Sequence, residues 1–165
     1  GSPIPDITYG ISFDATYKKF DLSLLFQGVW GNDIYNAAKY YFMRFDARQN
    51  VRTDYLKEYW HGPNTSNTQP IVTRDLARNN RNFRNSDYYI EDGSYLRLKN
   101  IQLGYTLTPS LGKGVKPSIR LYIAAQNLFT ITKYSGFEPE VSDISVDRGQ
   151  YPQSRSFLLG TVINF

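Results

Sequence analysis

The 165-residue chain contains no cysteine, which excludes thiol catalysis, cysteine-held zinc and disulfide scaffolds. One histidine, His61, leaves His-clustered metal sites and most imidazole acid–base arrangements without enough ligands or partners. No stretch approaches the roughly 20 apolar residues that a membrane helix needs, so residence in a bilayer would require a β-barrel or attachment at its surface. Neither sign of charge dominates: 19 Lys and Arg stand against 15 Asp and Glu. The basic residues are spread along the chain rather than along one amphipathic face, so no nucleic-acid partner is expected. The chain opens Gly-Ser-Pro without Met or a signal peptide, as expected of a mature or processed product or of a piece of something longer.

What is abundant is aromatic. Phe, Trp and Tyr make up 16% of the residues although only 41% are apolar, a balance that suits many strands with wet surfaces better than a dry helical core. Residues 7–18 alternate almost without error: Ile7, Tyr9, Ile11, Phe13, Ala15 and Tyr17 share one face, and Thr8, Gly10, Ser12, Asp14, Thr16 and Lys18 the other. That is a period-two strand, longer than the usual globular strand of about 5 or 6 residues. After a tight turn at Lys19, residues 20–30 repeat the pattern, with Phe20, Leu22, Leu24, Phe26 and Trp30 opposite Asp21, Ser23 and Gln27. Further strands are expected over 94–107, 118–130 and 155–165. In the first of these Arg97 and Lys99 fall on the otherwise apolar phase.

The connections alternate in length. The links at Lys19 and over 108–117 are short, whereas 31–93 and 131–154 are long and rich in Asn, Asp, Gly and Pro. Short turns at one end and long loops at the other suit an outer-membrane barrel, with apolar stripes toward lipid and polar stripes toward the lumen. Tyr9, Tyr17, Phe20, Trp30, Tyr105 and Phe165 would then mark the two interfaces. A soluble β-sandwich meets the same alternation by turning the apolar stripes to a core, and a carbohydrate-binding module of that kind stays open as the alternative. Within the first long loop, Asn32-Asp33 is expected to cap a helix over 34–45, and Thr53 a short one over 54–60.

Residues 3–10 (PIPDITYG), 28–35 (GVWGNDIY), 89–100 (YIEDGSYLRLKN), 126–132 (QNLFTIT), 133–141 (KYSGFEPEV) and 151–165 (YPQSRSFLLGTVINF), taken in order, resemble the C-terminal end of SusC/RagA-type TonB-dependent outer-membrane transporters. The resemblance implies an all-β fold in which these five antiparallel strands close a 22-stranded transmembrane barrel, with long extracellular loops containing short helices. It further implies an importer of oligosaccharides or peptides in the bacterial outer membrane, in contact with lipid and working with a SusD-like surface lipoprotein as lid. TonB would be engaged through an N-terminal part that this sequence does not contain. No catalysis, cofactor or metal is implied. The loop 46–86 matches nothing in the family pattern, and substrate identity is expected to reside there.

Candidate contact residues follow from side-chain type. Tyr40, Tyr41, Tyr59 and Trp60 offer flat aromatic faces for a sugar ring or a lid. Arg74, Arg78, Arg81 and Arg84 recur at spacings of four, three and three, which would gather guanidinium groups toward an acidic partner, lipid phosphate or substrate carboxylate. Phe157, Leu159, Ile163 and Phe165 step by two to a terminal aromatic and resemble the signal by which bacterial barrels are assembled. Glu138, Glu140, Asp143 and Asp147 lack the spacing of a calcium loop or a glycosidase carboxylate pair, and calcium at 138–147 stays open. Asp14, Lys18, Asp21, Gln27, Asn100, Gln102, Arg120 and Gln126 are expected to face the wet interior or a plug.

Overall fold

The computed structural model describes residues 1–42, 50–72, 81–82, 84–109, 117–141 and 145–164. Its larger part is a twisted antiparallel wall built from β1 (Ile7–Tyr17), β2 (Phe20–Trp30), β5 (Tyr95–Leu107), β6 (Ser118–Gln126) and β9 (Ser156–Asn164), neighbours in that order. The turn between β1 and β2 is only Lys18-Lys19, with Lys18 at φ 55°. The remaining strands are β3 (Asp33–Asn36), β4 (Ile90–Asp92), β7 (Thr130–Thr132) and β8 (Val146–Asp147).

Register places every apolar stripe on one face. Ile11 stands opposite Phe26, Phe13 opposite Leu24, Leu24 opposite Ile101, Leu103 opposite Ile123 and Ile123 opposite Leu159. This face has no cover among the described residues: Ile11 is 57%, Phe157 73% and Leu159 83% exposed. Burying one such side chain is worth about 1.5–3 kcal/mol, a gain the chain does not collect by itself. A β-sandwich would lay a second sheet here, and among the described residues none lies here.

The opposite face carries the charged and amide side chains, with Leu25, Leu158 and Val162 among them. Arg120 on β6 donates Nε–H to Oδ1 of Asp21 on β2 at 2.9 Å and pairs with Oδ2 through its second nitrogen. The pair closes over Gly104 of the intervening strand, where a Cβ would collide with both partners. Gln102 lies against the same guanidinium. The Tyr122 ring likewise lies where a side chain on Gly160 of β9 would have to go.

Two irregularities correct the sequence reading. Between β2 and β5 the pairing slips, from Leu25 opposite Asn100 to Phe26 opposite Leu98, so Lys99 is an extra residue. This bulge reverses the alternation beyond it and moves Arg97 from the expected apolar phase to the inner face. The strand expected over 118–130 ends at Gln126, because Asn127 takes φ 51°. The chain resumes as β7, which pairs with Tyr95–Arg97 of β5.

At one end of the wall sits a polar-cored rim. Here β3 pairs antiparallel with β4 and parallel with β8. Helix α1 (Ala37–Phe42) is capped by Asn36, whose Oδ1 accepts the Lys39 amide at 2.8 Å. Asn32 and Asp33 therefore do not cap it, since Asp33–Asn36 is spent as a strand that buries Ile34. Helix α2 (Thr53–Glu58) begins with Thr53 inside its first turn, and Arg52 precedes it without a side-chain cap. The first long loop leaves and re-enters the wall between two adjacent points of the chain. The Gly31 amide donates to Ser94 Oγ at 3.1 Å, and the Gly93 amide to the Asn32 carbonyl at 2.8 Å. The segment ahead of β1 is held against it, with the Asp33 amide donating to the Ser2 carbonyl at 2.7 Å and Ser145 Oγ to the Pro3 carbonyl at 3.0 Å.

Candidate functional site

The rim holds the polar chemistry, in three adjoining places. At its base, Arg97 and Glu138 are each only 2% exposed and form an ion pair. Arg97 also donates Nε–H to Thr130 Oγ1 at 2.8 Å and Nη1–H to Glu140 Oε2 at 2.7 Å, and Lys99 reaches the same Oε2 at 3.0 Å. Burial pushes the Glu138 carboxyl up, but the amides of Gln153 and Glu140 and the Arg97 guanidinium outweigh it and hold the group below its usual range. A buried pair satisfied this fully is costly to break from one side. It ties Glu138, Glu140 and Gln153 to the wall.

Above it lies a cleft of about 420 Å³ lined by Lys39, Arg52, Tyr55, Tyr88, Glu91 and Lys133, among others. Glu91 accepts from the Ser135 amide and hydroxyl, both at 2.9 Å, and from Lys39 at 3.3 Å. Burial raises this carboxyl, and those donors more than offset it. Lys39 donates to the Tyr88 carbonyl at 2.9 Å and lies 4.0 Å from the Tyr88 ring centroid. Burial pushes the Tyr55 phenol up to about 12 and the Tyr88 and Tyr89 phenols higher. These tyrosines are packing residues with spent hydroxyls, not acids.

The third place is a cleft of about 520 Å³ lined by Trp60, Asn67, Gln69, Arg81, Asn82 and Tyr88, among others. Trp60 and Arg81, which the sequence singled out separately, meet here although 21 positions apart. Tyr40 and Tyr41 sit on α1, where Tyr40 packs edge-on against Tyr89 with centroids 5.7 Å apart. Tyr59 packs tilted against His61, with ring centroids 5.1 Å apart. Arg84 is exposed, and its amide donates to the Arg81 carbonyl at 3.5 Å. Arg74, Arg78, Asp143 and Phe165 lie outside the described residues. Phe157, Leu159 and Ile163 point outward from β9.

The described carboxylates of residues 138–147 are engaged by partners within the chain. Glu138 and Glu140 face Arg97 and Lys99, while Asp147 accepts from Tyr134 OH at 2.7 Å and from the Gly149 and Gln150 amides at 2.8 and 2.9 Å. Among the described residues no group of three or more His, Asp or Glu is placed to hold a metal. Sequence reading missed the Arg97 network, although its signal was present. Two cations and two carboxylates, each pair spaced by two, match one another across 41 residues.

No protein-family model matches the chain. Over its whole length it is 36% identical to the TonB-dependent receptor P3 of Formosa agariphila, of which it covers 17%. It is 34% identical to the TonB-dependent receptor SusC of Bacteroides thetaiotaomicron, covering 99% of this chain and 15% of that protein. The RagAB peptide importer in its open-open state superposes with a TM-score of 0.79 at 31% identity, covering 99% of this chain and 18% of that one. The chain thus spans less than a fifth of the length of these relatives, which are receptors and importers rather than enzymes. The order of its strands, the apolar outer face and these matches agree, and the chain belongs to the SusC/RagA-type TonB-dependent receptors, as a segment of their barrel region.

Proposed function

We propose that the chain forms part of the wall and extracellular rim of an outer-membrane importer of oligosaccharides or peptides. The observation that carries this reading is the apolar face of the wall, uncovered among the described residues, set against an inner face that carries the Asp21–Arg120 pair and a polar rim at one end. In a closed barrel of 22 strands that face meets lipid, and the Asp21–Arg120 side lines the lumen or meets a plug. Coupling to TonB runs through a part of the receptor outside this sequence. A SusD-like lipoprotein docks over the rim, where Trp60 and Arg81 contact lid or substrate.

Three measurements on the full-length receptor test this. Spin labels at Ile11 and Leu24 should be quenched by a lipid-soluble reagent, and labels at Ser12 and Ser23 by a water-soluble one; the reverse pattern sinks the wall assignment. The double variant Trp60→Ala, Arg81→Ala should lose lid copurification or nutrient uptake while inserting normally. In sequence, Phe165 follows the outward-facing Phe157, Leu159 and Ile163 and serves assembly, so deleting it should lower the amount of folded, heat-modifiable receptor in outer membranes.

A further inference from the structure

We propose that a trough on the outward face of β5, β6 and β9 binds one phosphorylated glycolipid of the outer leaflet, with an acyl chain in the trough and the phosphate on Arg155. The proposal rests on the reading of the wall as membrane-spanning with the rim outside, and it places a ligand site on that wall.

The trough follows from one small residue in a row of large ones. Phe13, Leu24, Ile101, Ala125 and Phe157 stand side by side across the five strands. Ala125 alone lacks bulk and is only 8% exposed, so it forms a floor between Ile101 and Phe157. Ile123 and Leu159, opposite one another in the next row, bound it on the side away from the rim, and Leu128 bounds it on the rim side. The space is about 600 Å³, larger than either rim cleft described above and within the range of small-ligand sites. Among the described residues every side chain lining it is apolar. Sugars and peptides would lose their hydrogen bonds to water there without replacement, whereas a hydrocarbon chain loses nothing.

Any hollow on a lipid-facing wall fills with hydrocarbon; a polar end turns this one into a site. On the rim side β6 and β9 stop together, Gln126 opposite Ser156, and β7 continues on β5 alone. Asn127 turns there at φ 51°, and its Nδ2 donates to the Ser154 carbonyl at 3.1 Å, which fixes the approach to β9. Arg155 comes next, exposed and in step with the outward Phe157 and Leu159. The outward positions of β6 and β9 carry no charge, so Arg155 is the first cation reached along that face from the middle of the wall. Its aliphatic stem can lie on the apolar surface while the guanidinium holds a phosphate through two parallel N–H···O bonds.

Polarity along the strands fixes the orientation. The hydrocarbon site lies toward the middle of the wall and the cation toward the rim, which is the order of tail and head group in the rim-side leaflet. A lipid of the opposite leaflet would bring its phosphate to Leu121 and Ile163, where the outward face offers only apolar side chains. The outer leaflet of a bacterial outer membrane is built of acylated glucosamine phosphates, so the ligand is a lipid of that class rather than a glycerophospholipid.

The test uses the full-length receptor, delipidated in detergent and titrated by native mass spectrometry with monophosphorylated lipid A, its dephosphorylated form and phosphatidylglycerol. One equivalent of the phosphorylated glycolipid should be retained, about tenfold or more tightly than either other probe. Arg155→Gln should weaken that binding about tenfold and leave the dephosphorylated form unchanged. Ala125→Leu, which fills the trough, and Phe157→Ala, which removes one side of it, should each weaken both glycolipids, while Leu121→Phe on the same face outside the trough should weaken neither. Heat-modifiability checks that each variant is folded, and the two trough variants stand in for one another if one is not. Equal retention of phosphatidylglycerol, an unchanged affinity in Arg155→Gln, or unchanged affinities in the folded trough variants overturns the proposal. A trough variant that alters the receptor's oligomeric state without a lipid being retained assigns the face to a protein contact and overturns it too. If spin labels at Ile11 and Leu24 report lipid while no glycolipid is retained, the wall reading stands and this inference falls; labels that report water sink both.

Discussion

The wall and the rim solve opposite problems with one chain. In the wall, Ile11, Phe13, Leu103, Ile123 and Leu159 stay outside, and the ordered charges Asp21 and Arg120 lie on the inner face. In the rim, Ile34, Tyr55, Tyr89 and Tyr134 form a core, with Arg97, Glu138 and Asp147 buried beside them. The wall therefore depends on surroundings for its apolar contribution, while the rim closes its own. Hydrogen bonding follows the same division: the wall is held by backbone ladders, and the rim by side chains that reach backbone amides, as Asp147 and Glu138 do.

That division can be broken, beginning with the largest effect. Replacing Arg97 by Ala leaves Glu138 buried and uncompensated, and should destabilise the rim by about 3–5 kcal/mol. Hydrogen exchange of residues 130–153 in the full-length receptor should accelerate while β1 and β2 keep their protection; uniform loss would mean that rim and wall are one cooperative unit. On the wall, Leu103→Arg should cost about 2–4 kcal/mol if the residue lies near the bilayer midplane, whereas Gln102→Arg on the inner face should cost far less. Urea unfolding in vesicles reads the pair, and equal costs would mean that neither face meets lipid. Smaller still, Gly160→Ala should cost about 1–3 kcal/mol, because its methyl group meets the Tyr122 ring. Adding Tyr122→Ala should recover part of that loss, a coupling that the same unfolding assay detects.

Acid should separate the two regions most gently. Glu138 and Glu91 are held below the ordinary carboxylate range in the folded rim, so their contribution is present above the unfolded value of about 4. It is lost as pH falls through their lower folded values. Amide exchange at Ser135 and Gln153, measured below about pH 4, should rise before any change in the strands.

How far the sequence foretells this differs between the regions for a physical reason. The hairpin of β1 and β2 is legible because apolar side chains recur at every second position through β1 and through Phe20–Phe26 of β2, and its turn leaves no slack. In β5 the same logic fails at Lys99, since a bulge inserts a residue without changing composition, and everything ahead of it turns over. Arg97 thus reads as an outward charge when it is an inward anchor. The cap of α1 was misplaced for a related reason: Asn32, Asp33 and Asn36 are all plausible caps, and only the pairing of Asp33–Asn36 with β4 and β8 decides among them. Trp60 and Arg81 were legible as residue types and illegible as neighbours, because the turns between them carry no period.

The neck formed by Gly31, Asn32, Gly93 and Ser94 makes loop length a local matter. Since β2 and β5 are already zipped together to Val29 and Tyr95, the two ends of any insertion start out adjacent, and lengthening it adds closure entropy only logarithmically. A lineage can therefore exchange everything from Asp33 to Asp92 without retuning the wall, and an engineer can do the same.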